Sequence, residues 1–218
     1  MAEMRTEEEQ IEAIKQWWKK NCSSLLIGIA LALAIVFGWQ AWQNHQATQQ
    51  AKAAADFGQL IQQATEASSD EDRESVAYLA NKVRDDHAGT AYAVYAMLIL
   101  ANQQMMADND PAAAAESLQW ALDQSGSSEA LSLVVRTRLA RAQYGAGDYD
   151  AALATVRGAD NAGEFEGLLA ELEGDILLAT GDQSGAEEAY LRARESGGDG
   201  GIGLLRQKLA SLGVGGDA

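Results

Sequence analysis

The side chains best able to do covalent or metal chemistry are few and scattered. Cys22 is the single cysteine, so it can form neither an internal disulfide, nor a CxxC pair, nor a thiolate metal cluster. Lys19, Lys20 and Asn21 precede it where a lipid-attachment motif needs small apolar residues. His45 lies in a polar stretch beyond an apolar run. His87 follows Asp85 and Asp86 in a predicted loop, with no second His or Cys at ligand spacing, and reads as a solvated surface residue. The glycine run Gly197 to Gly203 has neither the preceding strand nor the Lys-Ser or Lys-Thr ending of a phosphate loop. No Gly-x-Ser-x-Gly nucleophile setting is present. Carboxylates number 32, so chance neighbours are expected and no pair stands out. These residues predict no enzyme, no cofactor and no metal; the chemistry to expect is non-covalent recognition.

The composition narrows what is recognised. A formal charge of −16 opposes nucleic acid, because a phosphate-binding surface needs clustered Lys and Arg. It favours solubility first and basic partners second. At 218 residues and 47% hydrophobic, the chain can build one core plus an extra segment. Ala and Leu carry that content, β-branched residues are sparse and Pro111 is the single proline, which together predict an all-α fold.

The extra segment is a membrane signal. No Asp, Glu, Lys or Arg occurs from Asn21 to Ala51, and Leu25 to Trp39 reads LLIGIALALAIVFGW. At 1.5 Å per residue the strictly apolar part gives about 22 Å of helix against a hydrocarbon core of roughly 30 Å, so Asn21–Ser24 and Gln40–Trp42 must reach the interfaces. Trp17 and Trp18 precede the run and Trp39 and Trp42 close it, where amphipathic indoles prefer to sit. Lys15, Lys19 and Lys20 lie before it, and the next basic residue after it is Lys52. The positive-inside rule then predicts a cytoplasmic tail over residues 1–21, a transmembrane helix over 22–42 and a periplasmic domain over 43–218. A cleaved secretory signal is the competing reading. It needs an Ala-x-Ala pattern that Phe37 to Gln43 does not offer, and a shorter, less acidic leader than one carrying Glu7, Glu8, Glu9 and Glu12.

Beyond the membrane the pattern is helical throughout. Phe57, Leu60, Ile61 and Ala64 mark one apolar face, and Ser68 to Asp72 reads as a loop whose acids suit the start of the next helix, with Val76, Leu79, Ala80 and Val83 on its face. Internal comparison is more informative. Ala140 and Gly174, Gly147 and Gly181, Asp148 and Asp182, Ala152 and Ala186, and Ala159 and Ala193 are all 34 residues apart, the period of tetratricopeptide (TPR) repeats. Small residues belong where the two helices of a repeat cross, the glycines where the first helix ends, and the aspartates at the N-cap of the second. An upstream pair, Ala91 to Met105 and Ala112 to Leu122, has the same order, but Ala114 lies 38 residues before Ala152; it reads as a degenerate repeat or as a plain hairpin. Ile202, Leu205, Leu209 and Leu212 predict a final helix capping the stack, flanked by glycine runs.

A TPR-like α-solenoid lines its concave side with the first helix of each repeat, here predicted over Leu133–Ala146 and Gly167–Thr180. The repeat register puts Val134, Thr137, Arg141 and Tyr144 of one helix and Leu168, Glu171, Asp175 and Leu178 of the next on that groove. Apolar members would bury a partner's side chains and charged members would set its orientation. The competing reading makes Val134, Leu168 and Leu178 core residues between stacked helices.

Taken together, the Trp17-Trp18-Lys19-Lys20 tail, the single anchor and the degenerate array containing RLARAQ (138–143) and GDILLATGD (174–182) resemble the YfgM family, ancillary subunits of the SecYEG translocon. The resemblance covers nearly the whole chain. It implies residence in the inner membrane of a Gram-negative bacterium, and association with SecYEG and with PpiD, a membrane-anchored periplasmic chaperone of the parvulin class. A TPR scaffold for another envelope assembly, such as cytochrome maturation or cell division, would share the anchor and fold, because fold alone does not give function.

Overall fold

Strong helix formers between short polar breaks make the described residues helical apart from their turns. The computed structural model describes residues 7–126, 128–197 and 204–214. The helices are α1 (Glu7–Glu66), α2 (Asp70–Asp86), α3 (Ala91–Met106), α4 (Pro111–Gln124), α5 (Glu129–Gly145), α6 (Tyr149–Arg157), α7 (Glu166–Ala179), α8 (Gln183–Glu195) and α9 (Leu204–Ser211), with a 3₁₀ turn at Gly163–Phe165 before α7. Two units divide between Lys52 and Ala53.

The first unit is the leading part of α1. Its apolar side chains face outward on every side from Leu25 to Trp42, among them Ile35, Phe37 and Trp39, and the Trp39 and Trp42 rings lie 5.2 Å apart. Among the described residues this is the one helix long and apolar enough to cross a membrane.

In the second unit each helix packs on its neighbour in sequence, α2 on α3 through α8 on α9, as in a solenoid of helical hairpins. The turns explain the repeat. Gly147 (φ 79°) and Gly181 (φ 88°) take the left-handed conformation that ends α5 and α7, which costs a side-chain-bearing residue but not glycine. The next residue's N–H then donates back into the finished helix, Asp148 to the Gln143 carbonyl and Asp182 to the Leu177 carbonyl, both at 2.9 Å. The same two aspartates cap α6 and α8 through their side chains, accepting from Ala151 N (3.1 Å) and Gly185 N (2.9 Å). The α3–α4 turn repeats this design: Asn109 (φ 51°) is the left-handed residue, Asp110 N donates to the Gln104 carbonyl, and Asp110 caps α4 at Ala113 N. That turn is one residue longer. Pro111 then opens α4, where its missing N–H costs nothing.

The small residues sit where the helices cross. Ala114, Ala152 and Ala186, each four positions after its capping aspartate, are fully buried. Ala101, Ala140 and Gly174, each three positions before the carbonyl that receives the turn N–H, are buried as well. The upstream pair is thus a repeat in geometry, offset from the next by 38 residues in its second helix and 39 in its first. At Gly174 the reason for glycine is direct. The fully buried Tyr190 ring lies against its Cα, and an added Cβ would fall 3.0 Å from Cζ and closer still to Cδ1 and Cε1.

Three readings shift. The acids Asp70, Glu71 and Asp72 form the first turn of α2 rather than a loop, with Ser69 as N-cap and a reciprocal Ser69–Asp72 capping box. α6 ends at Arg157, so Ala159 lies beyond the helix while Ala193 is buried within α8. His87 is buried: it closes α2, and its Nε2 lies 2.9 Å from Asp56 Oδ2. The final helix is present with Leu205 and Leu209 buried and Leu212 half-buried, while Ile202 and most of the flanking glycines lie outside the described residues.

Candidate protein-binding faces

Helical spacing places two rows of side chains opposite each other. Tyr95, Leu98, Ile99 and Asn102 share one face of α3, and Leu131, Val134 and Arg138 share one face of α5. With Phe57 they line a groove of about 790 Å³. Its walls are mainly apolar. Tyr95 keeps 42% of its surface exposed, and the Phe57 ring stands 5.5 Å from Tyr92 and 6.2 Å from Tyr95, a tilted aromatic cluster that holds the groove's shape. Arg138, exposed, is the one charged residue of the lining. A concave apolar surface with one oriented cation is suited to bury a partner's side chains and align a polar group.

The eight residues expected on the groove separate into four groups. Val134 lines it. Arg141 and Tyr144 are exposed further along α5, the Tyr144 ring resting 5.6 Å from that of Tyr149. Thr137 is a correction: it is only 4% exposed, and its hydroxyl donates to the Leu133 carbonyl, because α5 is enclosed by α4, α6 and α7 and is apolar on more than one side. The α7 members lie elsewhere. Leu168 is half-buried; Leu178 packs with the cluster around Tyr190; Glu171 and Asp175 turn toward α9, where Lys208 Nζ stands 2.6 Å from Glu171 Oε1 and 2.7 Å from Asp175 Oδ1. The lining residues that sequence reasoning missed are Phe57 of α1, those of α3, and Leu131 and Arg138 of α5. Treating α3 as the first helix of a full repeat would have found the α3 members.

Two charged clusters complete the second unit. Glu173, 6% exposed, accepts from Arg157 Nε (2.7 Å) and Arg192 Nη2 (2.6 Å), tying α6, α7 and α8 together beside a polar cavity of about 580 Å³. Burial raises its pKa, but the hydrogen bonds and charges of Arg192 and Arg157 outweigh burial and hold the carboxyl below its ordinary range. Asp56 accepts from Lys82 Nζ at 2.9 Å as well as facing His87, and those two partners lower its pKa. Among the described residues no group of three or more His, Cys, Asp or Glu is placed to hold a metal.

Known proteins resemble this chain in sequence. Residues 15–214 match the tetratricopeptide repeat-like domain family. The chain is similar to an ancillary SecYEG translocon subunit of Haemophilus influenzae, 33% identical over 97% of this chain and 98% of that one. It is also similar to the Escherichia coli protein of the same description, 33% identical over 84% of this chain and 85% of the other, and to that of Neisseria gonorrhoeae, 27% identical over 97% and 100%. With one long apolar N-terminal helix, TPR-like hairpins behind it and this similarity over nearly its full length, the chain belongs to the YfgM family of ancillary SecYEG translocon subunits.

Proposed function

We propose that the chain is a single-pass inner-membrane protein that accompanies the SecYEG translocon and binds partner proteins through its TPR-like domain, a parvulin-class chaperone such as PpiD among them. Residues 1–21 lie in the cytoplasm, 22–42 cross the bilayer and 43–218 lie in the periplasm. Three lysines before the apolar run, against none between it and Lys52, support that orientation. The translocon reading draws on the relatives' description, over nearly the same length of chain.

The observation that carries the binding reading is the groove between α3 and α5, where aromatic and aliphatic side chains surround a concavity of about 790 Å³ with a single cation. A photo-reactive amino acid at Tyr95 or Val134, activated in intact cells, should give adducts with translocon subunits or a periplasmic parvulin-class chaperone. Adducts confined to cytochrome-maturation or division proteins would overturn the assignment. A reporter active only outside the cytoplasm, fused after Ala218, should work; activity of a cytoplasmic reporter alone at that site would reverse the topology.

A further inference from the structure

α5 is basic in an acidic protein. The chain carries 32 carboxylates against 16 Lys and Arg. Yet α5, EALSLVVRTRLARAQYG, holds three arginines and one glutamate, and α3 opposite it, AYAVYAMLILANQQMM, holds no charge at all. Arg73, Arg84, Arg157 and Arg192 each meet a carboxylate. Arg138 meets none among the described residues, although it is the one charged side chain on the lining of the α3–α5 groove. An unpaired guanidinium at the edge of an apolar surface keeps both its charge and its forked donor geometry for an incoming group.

The apolar surface extends beyond that groove. A second hollow of about 260 Å³, between the end of α1, α2 and α3, shares Ile99 and Asn102 with it and reaches Met106. Tyr95, Ile99, Asn102 and Met106 follow one another at helical spacing along one face of α3, and Met106 is 78% exposed. They cover about 16 Å at 1.5 Å per residue, the length of about five extended residues or three helical turns. The one cation of the second hollow, Arg73, is already neutralised by Asp70 and Asp108, so the free positive charge lies at the α5 end alone.

We infer that this surface takes an apolar segment of a partner protein that carries a carboxylate, with the carboxylate pairing with Arg138. The inference rests on the groove being the binding face and adds the chemistry of its occupant. Charge complementarity sets the sign: neither hollow is lined by a carboxylate, so a basic segment would bring its cation to Arg138 and find no counter-charge. The net charge of −16 draws basic segments toward the protein at long range, where salt screens it. At the groove the contact charge has the opposite sign, so the surface discriminates against the very segments that the net charge collects.

The test uses the full chain in phospholipid nanodiscs and a displayed library of random peptides of about twelve residues, long enough for either geometry. Peptides selected on the wild type should combine Leu, Ile or Phe with an Asp or Glu. Labelled copies should bind Arg138→Glu about tenfold or more weakly, and copies with Lys in place of that acid should prefer Arg138→Glu to the wild type, the reversal expected of a direct charge pair. Selected peptides without an acidic preference, or acidic peptides that bind both proteins equally, would overturn the inference while leaving the groove as a binding face. Arg138 is exposed and unpaired, so the variant should melt at the wild-type temperature. Should it not, Arg138→Gln takes its place, and equal binding of acidic peptides to that variant and the wild type overturns the inference. No selected peptide, or peptides whose binding survives Val134→Asp, would overturn the inference and the groove reading together. Concentration-dependent dimers of the wild type, abolished by Arg138→Glu, would give the surface to a second copy and overturn the partner reading.

Discussion

At the crossing of α7 and α8, Gly174 faces Tyr190; in the preceding repeat the positions 34 residues earlier hold Ala140 and Val156, both buried. The two pairs solve one packing problem in opposite ways, a ring against a bare backbone and a methyl against a smaller side chain. Gly174→Ala in the wild type gains about 1 kcal/mol of helix propensity. It also forces a methyl into the Tyr190 ring, which is fully buried and held at its far end by Asp175, an overpacking that costs about 1–3 kcal/mol or more. The net expectation is destabilisation of up to about 2 kcal/mol, or a fall in Tm of up to about 8 °C. Tyr190→Val alone opens a cavity and removes the hydroxyl's hydrogen bond, costing about 2–4 kcal/mol. In that background Gly174→Ala changes sign: the methyl enters space the ring has left, and the variant gains about 0.5–1 kcal/mol over Tyr190→Val. Urea unfolding of a fragment beginning at Gln43, followed by circular dichroism, completes the double-mutant cycle. Equal effects of Gly174→Ala in both backgrounds, or stabilisation in the wild type, would refute the account of why glycine stands at 174.

Glu173→Gln keeps the shape at the α6–α7–α8 junction but removes the charge that both arginines share, and should destabilise by about 1–2 kcal/mol in urea melts at neutral pH. Because the folded carboxyl titrates below its unfolded value, that contribution is complete above the ordinary carboxylate range and is lost as pH falls through the lower folded value, so the wild type and Glu173→Gln should converge in stability on acidification below about pH 4. Asp56→Asn should likewise flatten the acid limb of the stability curve, since Asp56 is held low by His87 and Lys82; an unchanged acid limb would show that the cluster adds nothing. Val134→Asp and Tyr95→Ala should reduce partner recovery from membranes with little change in Tm, whereas Arg141→Glu and Tyr144→Ala, exposed but outside the groove lining, should reduce it less; the opposite ranking would move the binding face along α5.

The downstream repeats are legible in the sequence because their turns depend on residues with few substitutes. A left-handed helix end favours glycine, and the orphan N–H groups that follow favour aspartate, so Gly147-Asp148 and Gly181-Asp182 mark the hairpins wherever the intervening helices drift. The upstream hairpin uses the other residue that tolerates this conformation, Asn109, and its turn holds one residue more. A search at a fixed period of 34 misses both changes, although the physics of the turn is the same.

The binding faces were less legible, because periodicity identifies a helix face without saying what lies opposite it. On α5 buried residues occur on several sides, Leu133, Val135, Thr137 and Leu139 among them, since neighbouring helices enclose it. A threonine at a groove position by count can therefore be interior, its hydroxyl satisfied by the helix carbonyl four residues back. The charged residues were harder still, their partners being remote in sequence: Asp56 lies 31 residues before His87, and Lys208 lies 37 after Glu171 and 33 after Asp175. Asp85 and Asp86 beside His87 suggest a solvated loop, while the carboxylate that accounts for its burial comes from α1. Glu171 and Asp175 read as walls of an open groove until Lys208 is brought against them, and the negative face that composition alone distributes over the surface then becomes a socket with a defined occupant.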